Sequence, residues 1–597
     1  MCGIVGYVGK KNCIPILIDG LKNLEYRGYD SAGIAFLDDN QIKVIKKQGR
    51  LVNLEESINN KYYSNLGIGH TRWATHGVAN EVNAHPHHVG DITLIHNGII
   101  ENYEELRNEL INHGYQIDTE NDTKIACAYI DYLYKSNHDM LKTLSMLKEK
   151  FKGSYALGIL VNGSNKLYAI RKDSPLIIGV SNDGNYIASD VFAILNETNK
   201  YIVLDNNEVV ILDNKVNVYN DGVLVDKKIL TFNHKADEIT KNGYSHFMLK
   251  EIHEQDNLAK KLIDMYLENK DTIINKMPCF DKYDKIDIVA CGSAYHAGMI
   301  GKSLIEEYGD IPVSVNLASE YRYKKLFLND KTLVIAISQS GETADTLASV
   351  NIAKQNNADT LGIVNVALSS IARACDNVLY TNAGPEIAVA TTKAYSMQVL
   401  MLSLIALNIG VSKNLIDKDK LDYIINNYRL LPSKIKEEIN KNYSDIAKQI
   451  YNKNDIFFIG RNVDYALAME GSLKLKEISY LHAESYAAGE LKHGTISLIE
   501  EGTPVIAIVT DDKIYEKTIS NIKEVKARGA NVILITNDKL DVNGDFYDSK
   551  IVVSNLHNLV NSLITIIPLQ LIAYEVAKMK NLDIDKPRNL AKSVTVE

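Results

Sequence analysis

Leu333-Val334-Ile335-Ala336-Ile337-Ser338 and Pro504-Val505-Ile506-Ala507-Ile508-Val509 are near-copies about 170 residues apart. Each is a continuous apolar run rich in β-branched residues, the pattern of a strand buried on both faces of a parallel sheet. Upstream of them lies a second pair. Ile286-Asp287-Ile288-Val289-Ala290-Cys291-Gly292-Ser293 matches Asp455-Ile456-Phe457-Phe458-Ile459-Gly460-Arg461, each an apolar run that reaches Gly and opens a helical pattern. Downstream, Thr346, Lys354 and Ala358 recur as Thr518, Lys526 and Ala530 at a constant offset. Strands alternating with helices predict two doubly wound parallel-sheet domains, over 281–425 and 449–590.

The two copies differ where chemistry would sit. In the first, the strand runs into Ser338-Gln339-Ser340-Gly341-Glu342-Thr343 and then a helix. Hydroxyls and backbone N–H groups at a helix N-terminus, with Gly permitting close approach, form a phosphate cradle; simple helix capping is the competing reading. The second copy has Val509-Thr510-Asp511-Asp512 there, which would repel phosphate. Instead it places Glu470, Lys474 and Glu477 on one helical face. A solvated Glu–Lys ladder is the competing reading of that face. Ala487-Ala488-Gly489-Glu490-Leu491-Lys492-His493-Gly494 follows, and the chain closes on Asp585 to Glu597 with Lys592 inside it.

Residues 2 to about 220 change to many short β-type runs with few helices, which predicts layered sheets flanked by helices. Cys2 stands one peptide bond from the chain end. If Met1 is removed, its thiol has a base of its own in the free α-amino group, which ordinarily titrates at roughly 7.7–8.0. Four polar clusters interrupt the strands: Tyr26–Gly33, Gly69–Gly77 with the sole tryptophan Trp73, His85-Pro86-His87-His88, and His96-Asn97-Gly98. Each has a structural reading too: Asn-Gly is a strong turn signal, Asp122 a good N-cap, and the histidines a surface loop or an adventitious metal site. Acyl transfer needs oxyanion donors, which an Asn side chain and a backbone N–H supply, while an amino-acid substrate needs a cation and an anion, types that Arg72 and Asp122 provide. Residues 221–280 read as a connector and leading helices.

Bulk properties narrow the field. The chain has 597 residues, 46% apolar and 24% charged, with a net charge of −9 and no compensating basic block, which argues against nucleic-acid binding. Six scattered cysteines without CxxC or metal-type spacing suit a reducing compartment. Lys10 and Lys11 follow the first apolar run rather than precede it, unlike a signal peptide. Met397–Val411 and Leu559–Ala573 are short and interrupted, so they are expected as core helices of a soluble, cytoplasmic protein, not membrane spans.

Cys2-Gly3-Ile4, the Arg27–Gly33 stretch, Gly69–Gly77, His96-Asn97-Gly98 and a distant Asp122, in that order, resemble the glutaminase domain of the N-terminal-nucleophile glutamine amidotransferases over residues 2–220. The resemblance implies an αββα domain in which Cys2 attacks the glutamine amide and Asn97 with the Gly98 N–H forms the oxyanion hole. It implies further that Arg72 and Asp122 bind the amino-acid ends, with Trp73, Thr75 and His76 lining the pocket. The second half resembles tandem sugar isomerase (SIS) domains, on the motifs Ser338–Thr346, Glu470–Gly494 and Asp585–Glu597. Together the halves resemble the family that aminates and isomerises D-fructose 6-phosphate with L-glutamine as donor, giving D-glucosamine 6-phosphate and L-glutamate.

For the second half this implies that Ser338, Gln339, Ser340 and Thr343 hold the phosphate, with Ser293, Val389 and Ala591 lining the sugar site. Lys592 would form an imine with the open-chain ketose, Glu477 would move the proton between C1 and C2, and Glu470 and Lys474 would support them. His493 would assist ring opening from the neighbouring subunit of a homodimer. No metal or organic cofactor is expected. One departure stands out: Gly292-Ser293-Ala294 replaces the family's frequent Gly-Thr-Ser, so one hydroxyl contact to the sugar is expected to be missing. Two rivals stay open. One is an amidotransferase with another acceptor domain, although no P-loop pattern is present. The other is a sugar-phosphate-responsive regulatory protein that has lost turnover.

Overall fold

The computed structural model describes residues 2–59, 61–73, 80–232, 240–267 and 277–595. The chain divides into two compact units, Met1–Thr240 together with Ala591–Glu597, and Lys241–Leu590.

The first unit is built from β1 (Gly3–Gly9), α1 (Cys13–Leu24), β2 (Ser31–Asp38), β3 (Gln41–Gln48), α2 (Leu51–Ser57), β4 (Leu66–Arg72), β5 (His87–Val89) and β6 (Ile92–Ile100). These are followed by α3 (Tyr103–Asn112), α4 (Asp122–Asn137), α5 (Met140–Lys150), β7 (Gly153–Val161), β8 (Leu167–Lys172), β9 (Ile177–Val180) and β10 (Gly184–Ala188). Five short strands end it: β11 (Lys200–Val203), β12 (Val209–Leu212), β13 (Val216–Asn220), β14 (Val223–Val225) and β15 (Leu230–Thr231). They form an eight-stranded sheet, β15-β11-β9-β10-β1-β4-β2-β3, and a seven-stranded sheet, β14-β13-β12-β8-β7-β6-β5.

Alternation along the strands gives each sheet two apolar faces, and three apolar layers result. Ile4, Ile68, Ile95 and Ala169 lie between the sheets. Leu17 and Leu21 of α1 cover one outer face, and Ile125, Tyr129 and Leu144 of α4 and α5 cover the other. This is the αββα sandwich expected for the first third. Strands β14 and β15 lie beyond the expected domain end at 220 and complete the two sheets.

The second unit repeats one design. β16 (Lys285–Ala290), β17 (Val313–Leu317), β18 (Thr332–Ser338), β19 (Asp359–Val364) and β20 (Asn377–Tyr380) form a parallel sheet ordered β17-β16-β18-β19-β20. β21 (Asp455–Gly460), β22 (His482–Ala487), β23 (Pro504–Val509), β24 (Asn531–Asn537) and β25 (Ser549–Val553) form a second in the same permutation, β22-β21-β23-β24-β25. In each the chain reverses direction across the sheet at its second strand, so a crevice opens at the carboxyl ends of β16 and β18, and of β21 and β23.

The two sheets share a core, although the sequence suggests two separate domains. One apolar cluster runs from Met248 through Leu400, Tyr428 and Leu467 to Ile584. Helices Lys393–Ser412 and Asn558–Met579 are long and apolar enough to span a membrane, yet 94% of each apolar window is buried inside this unit. They are the core helices that their interrupted composition predicts. The supposed gap between the repeats is filled by helix Lys418–Ile439, whose Ile424, Tyr428, Leu431 and Ile435 enter the cluster. Helices Phe247–His253 and Gln255–Leu267, in the stretch read as connector and leading helices, bury Met248, Ile252, Leu262 and Ile263 in the same core.

Candidate active sites

Antiparallel pairing sets the first site. Gly3 of β1 lies opposite Thr71 of β4, so the chain before β1 meets the end of β4, and Cys2 lies beside Arg72 and Trp73. The Trp73 N–H donates to Cys2 Sγ at 3.3 Å. Burial pushes the Cys2 thiol above the ordinary cysteine value, against the pull of the terminal ammonium, the Trp73 N–H and Arg72. A thiol in that state needs a base before it can attack.

Asn97 and Gly98 sit inside β6, paired with Ala156 and Tyr155 of β7, and not in a turn. The reason is visible at Gly98: its φ is +126°, and a Cβ there would fall 2.0 Å from the Ser154 carbonyl oxygen, so only glycine fits. β5 pairs with β6 only as far as Leu94, which leaves that edge of the strand without a ladder at Asn97 and Gly98 among the described strands. The Asn97 Nδ2 donates to the carbonyl oxygen of Cys2 at 2.9 Å. An amide donor and a strand edge thus adjoin the thiol, the arrangement an oxyanion requires.

Asp122 does not cap its helix. Asn121 does, its side chain accepting from the Lys124 N–H at 3.0 Å. Asp122 occupies the first helical position, buried, and its Oδ2 accepts from the Ile100 N–H at 3.1 Å. Arg72 is buried as well; burial pulls its guanidinium below the ordinary arginine value, opposed by Cys2, Asp122 and Asp30. A thiol, a buried cation and a buried carboxylate within mutual electrostatic reach can hold an amino acid by both of its charged ends. Asp30, part of the Tyr26–Gly33 cluster but given no role of its own there, donates its N–H to the Arg72 carbonyl at 2.9 Å. Trp73 is half-buried. Thr75 and His76 lie outside the described residues.

In the other polar clusters several side chains are buried. Arg27 is buried in an ion pair with Asp190. His85 and His87 are buried, not a surface loop, and their rings pack 4.9 Å apart. Among the described residues no group of histidines, cysteines and carboxylates is arranged to hold a metal.

The second site forms at the β16–β18 crevice. Ser338, at the end of β18, is buried and its Oγ lies 2.9 Å from Thr343 Oγ1 and accepts from the Gly341 N–H at 3.0 Å. Ser340 Oγ accepts from the Glu342 N–H at 3.2 Å. Gly341 has φ +66°, and a Cβ there would lie 1.9 Å from Ser369 Oγ. Helix Ala344–Gln355 starts at this loop, with Thr343 as its N-cap residue; the Thr343 hydroxyl engages Ser338 in place of the helix backbone. Gln339 is half-buried, and its carbonyl oxygen accepts from the Asn365 N–H at 3.2 Å. The loop therefore presents hydroxyls at a helix N-terminus, suited to a phosphate.

Packed against the helix that follows β16, Ser293–Gly309, the supposed Glu–Lys ladder is not solvated: Glu470 and Lys474 are both 0% exposed. Ser293 Oγ donates to Glu470 Oε1 at 2.8 Å, and His296 Nδ1 lies 2.8 Å from Glu470 Oε2. Lys474 Nζ is 3.5 Å from Glu470 Oε1 and ion-paired with Glu477. Burial pushes the Glu470 carboxyl up, but Lys474, His296 and Ser293 outweigh it and hold the group below the ordinary carboxylate value. Burial likewise pulls Lys474 down, and Glu477, Glu470 and Glu386 hold it above the ordinary lysine value. His296 went unnoticed in the sequence; Ser293 and His296, one helical turn apart on the helix after β16, are the signal that could have revealed it.

Val389 is buried, and its N–H donates to the Asp585 carbonyl at 2.9 Å; the Asp585 side chain accepts from the Phe247 and Met248 N–H groups at 2.9 and 3.0 Å. His493 is exposed on the turn Leu491–His493. Ala294 packs against the shared core. Ala591 and Lys592, both half-buried, fall in the segment Ala591–Glu597 that groups with the first unit.

A thiol-centred αββα domain and a tandem parallel-sheet repeat with one phosphate-type loop define a glutamine amidotransferase joined to SIS domains. The chain matches the glutamine amidotransferase domain family over 70–196 and the SIS domain family over 280–408 and 449–579. It is 48% identical over 610 residues to the glutamine–fructose-6-phosphate aminotransferase (isomerizing) of Clostridium acetobutylicum, and 43% identical over 622 residues to that of Methanosarcina acetivorans. Each alignment spans 100% of both chains. The solved C-terminal domain of the Francisella tularensis glucosamine-fructose-6-phosphate aminotransferase superposes with a TM-score of 0.55 at 38% identity, covering 58% of this chain and 99% of that one. The chain belongs to the glutamine–fructose-6-phosphate aminotransferase (isomerizing) family.

Proposed function

We propose that the chain transfers the amide nitrogen of L-glutamine to D-fructose 6-phosphate and isomerises the adduct, releasing D-glucosamine 6-phosphate and L-glutamate. Full-length likeness to aminotransferases of this activity carries the reading, since it covers both halves in order. Freed of Met1, Cys2 passes its proton to its own α-amino group and attacks the side-chain amide carbon. The oxyanion formed is met by the Asn97 amide and the Gly98 N–H, while Arg72 and Asp122 hold the substrate's carboxylate and ammonium. The C–N bond breaks, ammonia leaves with the proton from the amino group, and water hydrolyses the Cys2 thioester to glutamate.

In the second half Ser338, Gln339, Ser340 and Thr343 bind the phosphate, and Ser293, Val389 and Ala591 line the sugar. Lys592 forms an imine with the ketose, Glu477 shuttles the proton between C1 and C2, and Lys474 and Glu470 fix Glu477. His493 assists ring opening across the interface of a homodimer. What supports the Glu477 assignment is its ion pair with a fully buried lysine, which a merely solvated glutamate lacks. Product analysis with glutamine and fructose 6-phosphate tests the whole reading: glucosamine 6-phosphate and glutamate are expected in equal amounts, and glutamate alone would leave only a glutaminase.

A further inference from the structure

His70, on β4, has no part in the reaction above, yet it is fully buried beside the thiol site. Its Nε2 lies 2.9 Å from the main-chain oxygen of His96 and 3.1 Å from Asn97 Oδ1. A carbonyl oxygen can only accept, so the ring proton sits on Nε2. The same donor then demands the oxygen end of the Asn97 amide. The other end of that amide faces the carbonyl oxygen of Cys2, again an acceptor only, at 2.9 Å. Flipping the Asn97 amide would set its NH2 against an N–H and its oxygen against a carbonyl, leaving buried groups unpaired.

The rest of the ring's surroundings keep it a plain donor. Nδ1 has no hydrogen-bond partner, and the ring packs on His85 at 4.2 Å between centroids. Burial holds the His70 imidazole down to about 3 and holds His85, His87 and His96 below the ordinary histidine value.

We propose that His70 is a positioning residue for glutamine hydrolysis, its Nε2–H locking the Asn97 carboxamide with the NH2 on the Cys2 side, where it can donate to the oxyanion that forms when Cys2 attacks. The proposal rests on Asn97 being the oxyanion donor, so its test must separate the two.

The discriminating pair is His70→Gln, whose terminal amide N–H reaches the place of Nε2, and His70→Asn, whose amide is equally polar but stops at the place of Nδ1. In the full chain, His70→Asn is expected to lower kcat for glutamine hydrolysis by about 10–100-fold with KM changed less than about threefold, a part of the 100–1,000-fold loss typical of a missing oxyanion donor. His70→Gln is expected to recover most of that loss. Asn97→Ala alone should lower kcat strongly, and adding His70→Asn to it should cost less than about threefold more. Alkylation of Cys2 by iodoacetamide should proceed at the unmodified rate in both His70 variants. Multiplicative losses in the double variant, equal losses for Gln and Asn, or slowed alkylation would overturn the positioning role while leaving Asn97 in place. An Asn97→Ala chain with full kcat would remove the oxyanion assignment itself and the proposal with it.

Discussion

Ser293 Oγ donates to Glu470 Oε1 at 2.8 Å, which joins the two copies of the repeat at a single buried carboxylate. The serine opens the helix after β16 and the glutamate lies on the helix after β21, so one site is assembled from both sheets. Duplication alone would have given two equivalent crevices. Here only one carries a phosphate-type loop, and the second copy supplies carboxylates and a lysine.

Glu470→Gln is expected to destabilise the second unit at pH 7 by about 1.5–3 kcal/mol, because it takes a charged acceptor from Ser293 and His296 and leaves buried Lys474 with Glu477 as its ion-pair partner. The folded Glu470 carboxyl lies below its ordinary value of 4.5. Its stabilisation is therefore present above that value and is lost as pH falls through the folded value. Denaturant unfolding of both chains should show the difference at pH 7 narrowing below pH 4.5; a gap independent of pH would exclude the ionised carboxylate as its source.

Ser338→Ala and Thr343→Ala are expected to raise KM for fructose 6-phosphate about 10–100-fold, the weight of a hydrogen bond to a charged group, with a smaller effect on kcat. Glutamine hydrolysis should be unchanged. An unaltered KM in steady-state assays would take the phosphate away from this loop.

Arg72→Lys is expected to raise KM for glutamine about tenfold, since the lysine keeps the charge but loses the fork that pairs with a carboxylate. Sugar-phosphate isomerisation should stay at the level of the unmodified chain. A lower kcat at constant KM would place Arg72 in the chemical step instead.

The two halves should be separable. Cys2→Ala is expected to abolish use of glutamine and leave sugar-phosphate isomerisation measurable, and Lys592→Ala to abolish synthesis while glutamate is still released. Loss of both activities in either variant, read by product analysis, would argue against two distinct centres.

Much of this was legible in the chain because its strongest signals are periodic or ordered. The runs Leu333–Ser338 and Pro504–Val509 announce buried parallel strands by composition alone, and the order of polar clusters around Cys2 marks the first site. What stayed hidden depends on tertiary packing. Asn97-Gly98 carries the composition of a hairpin turn, and only the close approach of the Ser154 carbonyl shows why it sits mid-strand. Glu470, Lys474 and Glu477 have the spacing of a solvated ladder, yet Glu470 and Lys474 are buried, Glu470 against a partner helix that bears Ser293 and His296. Asp122 looks like an N-cap until Asn121 takes that place, and its carboxylate instead accepts from the Ile100 N–H. Most of Lys418–Ile439 falls between the bounds read for the two repeats, and its buried face belongs to a core that both sheets share.

The central claim is that nitrogen from glutamine reaches the sugar, and it is tested most directly by labelling. With Met1 shown to be absent, the chain is incubated with fructose 6-phosphate and glutamine carrying heavy nitrogen at its side-chain amide. The hexose product is then read by mass spectrometry. The account predicts glucosamine 6-phosphate carrying the label, one equivalent per glutamate released, and none from the Cys2→Ala chain. Labelled ammonium in solution with no labelled amino sugar would contradict it.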